Sequence, residues 1–127
     1  MFARSIFGLA SLGILGLAGC GPAKLDVSQT YEIADQGQIL RLDAQPKPQT
    51  IRIQFESTQS PVTVLLIKDT EVLGNDDAMY VSTDKAIAFK KGEKSGDFTG
   101  EVPANTATTV IIREAKGRTT VKIHITN

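Results

Sequence analysis

One imidazole and one thiol limit the covalent chemistry open to this chain, because His124 and Cys20 are the only residues of their kinds among 127. Acyl transfer needs a nucleophile, a base within hydrogen-bond reach and usually an orienting carboxylate. Alternation from Thr119 to Thr126 places His124 with Lys122 and Thr126, on the side opposite Val121, Ile123 and Ile125. That pattern predicts a surface histidine. No Gly-x-Ser-x-Gly elbow is present, and Ser82 with Lys85 three residues later lacks the companion motifs of a Ser-x-x-Lys enzyme. The chain is therefore expected not to be an enzyme. A Gly-rich phosphate cradle is also missing, so no cofactor is expected.

Metal and surface chemistry narrow further. Zinc calls for several Cys or His, which the composition withholds. Calcium calls for clustered oxygen ligands, and Asn75-Asp76-Asp77 with Asp84 downstream is the one acidic cluster. Asp76, Asp77 and Asp84 stand as calcium candidates, although Gly, Asn and Asp are also what a tight turn uses. A small-ligand or calcium-binding module at 74–84 is the alternative to a protein-binding role. Lys85, Lys90, Lys91 and Lys94 form a basic group that could rest on anionic headgroups, at about 1 kcal/mol per Lys near such a surface. The same lysines would suit a solvated hairpin tip that keeps edge strands from pairing with other chains. A stacking site for sugars finds little support, since Trp is absent and only Tyr80 is expected to be an exposed ring, with Phe55, Phe89 and Phe98 in the core. With 14 basic and 14 acidic side chains, the chain lacks the cationic excess of a nucleic-acid binder.

The elements that position these residues divide at Cys20. Ahead of it, Arg4 is followed by an uncharged run from Ile6 to Ala18, too short for a span that needs about 20 helical residues but laid out as a secretory signal. The run ends in Leu17-Ala18-Gly19-Cys20, which resembles the lipobox of bacterial lipoproteins. The resemblance implies that residues 1–19 are a cleaved signal peptide and that Cys20 carries a diacylglyceryl group, with its amino group commonly acylated as well. It also implies a cell-envelope location with the membrane as a partner. Gly21 stands where Asp would favour the inner membrane in many Gram-negative bacteria, so the outer membrane is expected where there are two. Residues 20–28 read as the lipidated Cys and a tether. From Gly21 to Ser28 it spans at most about 28 Å when extended.

Residues 29–127 read as one all-β domain. Ile51, Ile53 and Phe55 alternate with Arg52, Gln54 and Glu56, and the last eight residues before Asn127 repeat the pattern. Val62 to Ile67 and Thr108 to Ile112 are denser β-branched runs suited to central strands. Weaker strand candidates are Tyr31 to Ala34, Ile39 to Leu42, Met79 to Ser82, Ala86 to Phe89 and Phe98 to Val102. Asp35-Gln36-Gly37, Pro46-Lys47-Pro48, Ser60-Pro61, Lys91-Gly92-Glu93 and Lys116-Gly117-Arg118 punctuate them. About eight or nine short strands predict a two-layer antiparallel β-sandwich, jelly-roll-like. The segment Thr99 to Thr106, with its Val102-Pro103-Ala104 corner, resembles the closing half of bacterial prepeptidase-type jelly-roll domains and brings no catalytic motif. The expected role is that of a lipid-anchored envelope protein whose sandwich binds or supports a protein partner through a sheet edge or loop.

Overall fold

The computed structural model describes residues 24–34, 37–72 and 78–127. Eight strands form in these residues: β1 (Asp26–Ile33), β2 (Gln38–Leu42), β3 (Gln49–Ser57), β4 (Val62–Lys68), β5 (Ala86–Glu93), β6 (Ser95–Val102), β7 (Thr108–Arg113) and β8 (Thr119–Thr126). They pair antiparallel in two four-stranded sheets, ordered β1-β8-β3-β6 and β2-β7-β4-β5. The protein is a β-sandwich with the strand order of a jelly roll, as the periodicity predicted. No helix among the described residues is long and apolar enough to cross a membrane.

Alternation decides the layers. Ile51, Ile53 and Phe55 of β3 and Val121, Ile123 and Ile125 of β8 are buried between the sheets, while Arg52, Glu56 and Lys122 face solvent. β4 and β7 do not alternate, because the β2-β7-β4-β5 sheet is covered on both faces. Val62, Val64, Leu66, Val110 and Ile112 join the core between the sheets. Leu65, Ile67 and Ile111 point the other way into a second cluster, with Val72, Ala78 and the half-buried Met79 and Val81. That cover comes from the connection between β4 and β5. Two buried or half-buried clamps hold it. Asp69 donates its backbone N–H to the Ala107 carbonyl, and its carboxylate accepts from Arg41 and from the Thr109 hydroxyl, both at 2.6 Å. Further along, the buried Arg113 donates from Nη1 to the Ala78 carbonyl at 3.1 Å.

Three expectations are corrected. Met79 to Ser82 is not a strand: Met79 and Tyr80 lie in a turn, and Ser82 caps a short 3-10 helix, Thr83–Lys85. Its alternating apolar residues are used to cover a sheet face, and no ladder partner stands beside them. Phe89 is 43% exposed rather than core. It sits opposite Leu65 on the edge strand β5, past the reach of the cover. Finally, Lys85 to Lys94 is no hairpin, because β5 and β6 belong to different sheets and only Lys94 joins them. The two strands converge where the sandwich closes, and Gly96 and Gly100 permit it. A Cβ on Gly100 would stand 2.8 Å from Leu66 and 3.0 Å from Ile87.

Candidate functional site

The outward face of the β1-β8-β3-β6 sheet is polar from edge to edge. Register places Ser28 and Gln54 on either side of His124, and Thr30 and Glu56 on either side of Lys122. These six side chains line an open trough of about 470 Å³. At its margin, His124 Nε2 lies 2.8 Å from Asp26 Oδ1. The trough offers hydrogen-bond donors and acceptors of both charge signs to a polar ligand or protein face. It does not assemble an acyl-transfer set: Ser28 faces the ring across the ladder without bonding to it, and the pair is open to water. His124 is on the surface, as expected. Its Asp26 partner is not evident from the sequence, since the two residues are 98 apart and the pattern places Asp26 in the tether. The Val27 alternation beside Asp26 and Ser28 is the signal that could have found it. Asp26, Val27 and Ser28 are in fact strand.

Across β3 and β6 the same face carries a bidentate ion pair, with Arg52 Nε 2.9 Å and Nη2 2.5 Å from the two Asp97 oxygens. The hydrogen bond from Arg52 holds the Asp97 carboxyl below its ordinary range, against a smaller opposing effect of desolvation. The same bond raises the Arg52 guanidinium. A depressed carboxyl contributes stability above the pKa it has in the unfolded chain, about 3.9, and loses it as pH falls through the folded value. Asp97→Asn is therefore expected to lower the urea midpoint slightly at pH 6. The gap to the parent should narrow as pH falls below that unfolded-chain value. A gap that widens on acidification would contradict this assignment.

At the far end of the sandwich from Lys24, a second cleft of about 580 Å³ is lined by Pro61, Thr63, Lys91, Gly92, Glu114 and Lys116. Thr63 organises it by donating to Glu114 Oε1 at 2.6 Å while accepting from the Gly92 N–H at 3.2 Å. Glu114 has φ +67, the left-handed region where residues other than glycine are strained. Beneath this cleft, Thr119 accepts backbone N–H groups from Gln59 and Ser60, and its hydroxyl lies 2.7 Å from that of Ser57. Those bonds tie the 58–61 and 114–118 connections together.

The four lysines are exposed but not gathered. Lys85 sits where β5 begins, at the end that carries Lys24, and forms a 3.6 Å ion pair with Glu71. Lys90, Lys91 and Lys94 lie toward the other end, and the eight residues of β5 separate Lys85 from Lys94 by roughly 30 Å. They cannot share one flat contact. Asp84 is exposed beside Ser82, whose hydroxyl accepts its backbone N–H. Among the described residues, no group of three or more His, Cys, Asp or Glu could share a metal ion. Cys20, Asp76 and Asp77 lie outside the described residues. Tyr80 is 86% exposed, as expected.

No protein-family model matches the chain, and no curated protein matches it in sequence. Residue chemistry alone carries the functional reading.

Proposed function

We propose that this chain is a lipid-anchored protein of a bacterial envelope whose β-sandwich binds a protein partner and performs no chemistry. The observation that carries the reading is Leu17-Ala18-Gly19-Cys20, closing an uncharged run from Ile6 and holding the only thiol of the chain. A thiol there is the one side chain able to become a thioether. Two or three acyl chains would then hold the domain far more firmly than one, each buried methylene adding about 0.8 kcal/mol. The non-catalytic part rests on the sequence, which holds one imidazole and no Gly-x-Ser-x-Gly elbow.

Radiolabelled palmitate in a bacterial host tests the anchor. The parent chain should take up label and sediment with membranes, and Cys20→Ala should do neither. Label or full membrane recovery in the Cys20→Ala chain would sink the proposal. Photocrosslinkers placed one at a time on the exposed strands, in the native envelope, test the binding role. They should capture the same protein reproducibly from at least one position. A domain that captures nothing from any position counts against it.

A further inference from the structure

The strand order leaves four edges among the described residues, β1 and β6 in one sheet and β2 and β5 in the other. Unpaired edges invite other chains, so proteins blunt them with short strands, bulges, lysines or a covering element. Three of the four are blunted. β2 has only five residues. β5 carries Lys90 and Lys91, and its register with β4 shifts twice. β6 is shut in by β5, with Lys90 Cγ only 3.2 Å from the point where a Gly96 Cβ would stand. β1 has none of these devices. It pairs with β8 over all eight residues without a register shift, contains neither Lys nor Pro, and receives no backbone hydrogen bond from any described loop. Every second residue of such an edge directs its N–H and C=O outward.

The side chains of β1 specify what would fit. Its inward row lies at the seam between the two sheets, where Val27, Tyr31 and the facing Leu40 of β2 pack on the core yet stay half exposed. Burial raises the Tyr31 phenol above its ordinary value, as expected for a ring lodged in that seam. Beyond Val27 the seam opens into a cavity of about 300 Å³ lined by Leu25 and Leu42 together with Lys24, Arg41, Asp43 and Gln45. The outward row reads Asp26, Ser28, Thr30 and Glu32, with no cation in the strand itself; its two carboxylates are 68% and 73% exposed, Asp26 beside His124 at 2.8 Å and Glu32 at 4.0 Å from Arg118. A second copy of this chain is a poor occupant. Pairing β1 with itself sets Asp26 against Glu32 twice in the antiparallel register centred on Gln29, where like charges directly opposite are destabilising, and in the equally long register centred on Thr30 it brings neither carboxylate a cation.

We propose that β1 is a docking edge that accepts, by antiparallel strand addition, an extended segment of another protein with apolar residues facing Val27 and Tyr31 and basic residues facing Asp26 and Glu32. This deepens the binding role proposed above and rests on it. Main-chain bonds would supply affinity, and the seam and the two carboxylates would supply selectivity.

The probe is the blocked heptapeptide Lys-Val-Thr-Val-Thr-Val-Lys carrying a fluorophore, titrated against the full chain as purified from its bacterial host. Its control, with Glu for both Lys, has the same apolar content. The lysine peptide should bind roughly tenfold more tightly than the control, since two attractive cross-strand pairs replace two repulsive ones. The double variant Asp26→Lys, Glu32→Lys should invert that order. Because it also removes the Asp26 bond to His124, Glu32→Gln serves as a milder variant, which should narrow the preference without changing the melting temperature. A benzoylphenylalanine at Thr30 should capture the lysine peptide, and one at Thr99 on β6 should not. Equal binding of the two peptides, no binding, capture at Thr99, or crosslinked dimers of the chain through Thr30 would each overturn the proposal. A native partner captured elsewhere on the sandwich would overturn the edge and leave the binding role standing. Failure of the palmitate experiment would remove the anchor and leave the edge untouched.

Discussion

Leu66→Ala is expected to lower the unfolding free energy by about 3–5 kcal/mol. Leu66 is fully buried on the inward face of β4, in the core cluster shared by both sheets. Its Cδ2 reaches to 2.8 Å from the point where a Gly100 Cβ would stand, so it fills the space that the missing side chain of Gly100 leaves where the sandwich closes. Truncation there removes the transfer energy of three carbons and also leaves a cavity, because neither β6 nor β5 can move inward without breaking its own ladder. Against a typical total of about 5–15 kcal/mol, that is a large fraction. Urea unfolding should show a lower midpoint at an unchanged m-value. Thr99→Ala, at an exposed position next to Gly100, should shift stability by no more than about 0.5 kcal/mol. A Leu66→Ala cost under about 1.5 kcal/mol would mean that the closing edge is loosely packed.

Thr119→Val is expected to cost about 2–4 kcal/mol although it changes almost no volume. The two side chains are near-isosteric, so packing in the buried pocket at the start of β8 is retained. What is lost is one oxygen that accepts from the Gln59 and Ser60 backbone N–H groups at 3.0 and 3.2 Å and lies 2.7 Å from the Ser57 hydroxyl. Ser57 and Ser60 are both buried, and an orphaned buried donor loses its water as well as its partner. Ser57 can still donate to the Ser60 carbonyl at 2.5 Å, which keeps the cost below that of three lost bonds. Thr119→Ser keeps the oxygen and removes a methyl, so it should cost only about 1 kcal/mol. Equal destabilisation by the two variants would show that packing rather than hydrogen bonding decides this position. Amide exchange at Gln59 and Ser60 supplies a direct readout. Protection there should fall in the Val variant and persist in the Ser variant.

Neither residue could have been chosen from the sequence. Leu66 stands in a run of six apolar or β-branched residues in which no position differs from its neighbours by pattern. Only the second cover, laid across the sheet by Val72, Ala78, Met79 and Val81, explains why every residue from Val62 to Ile67 is buried. Thr119 looks like any strand-opening threonine until the 58–61 connection is folded against it. The lysines show the opposite failure. Close in sequence, they read as a cluster, yet an extended strand carries Lys94 away from Lys85 and a change of sheet follows at once. Hydrophobicity alone places Phe89 in the core. An edge strand whose register shifts gave it nowhere to bury itself.

The sequence by itself determined the all-β class and which residues of β3 and β8 face inward, because a side-chain period of two is a property of the strand alone. It also supplied the whole basis for the anchor proposal, since Leu17-Ala18-Gly19-Cys20 is a linear feature that requires no fold to be read. The tertiary structure decided everything that depends on which strand lies beside which: the Asp26 and His124 pair, the double burial of β4 and β7, the Thr119 junction and the place of β1 at a sheet edge. The physical reason is range. Periodicity acts between neighbours along the chain, whereas pairing is set by contacts between residues tens to a hundred positions apart, whose energies are individually small and collectively select one arrangement.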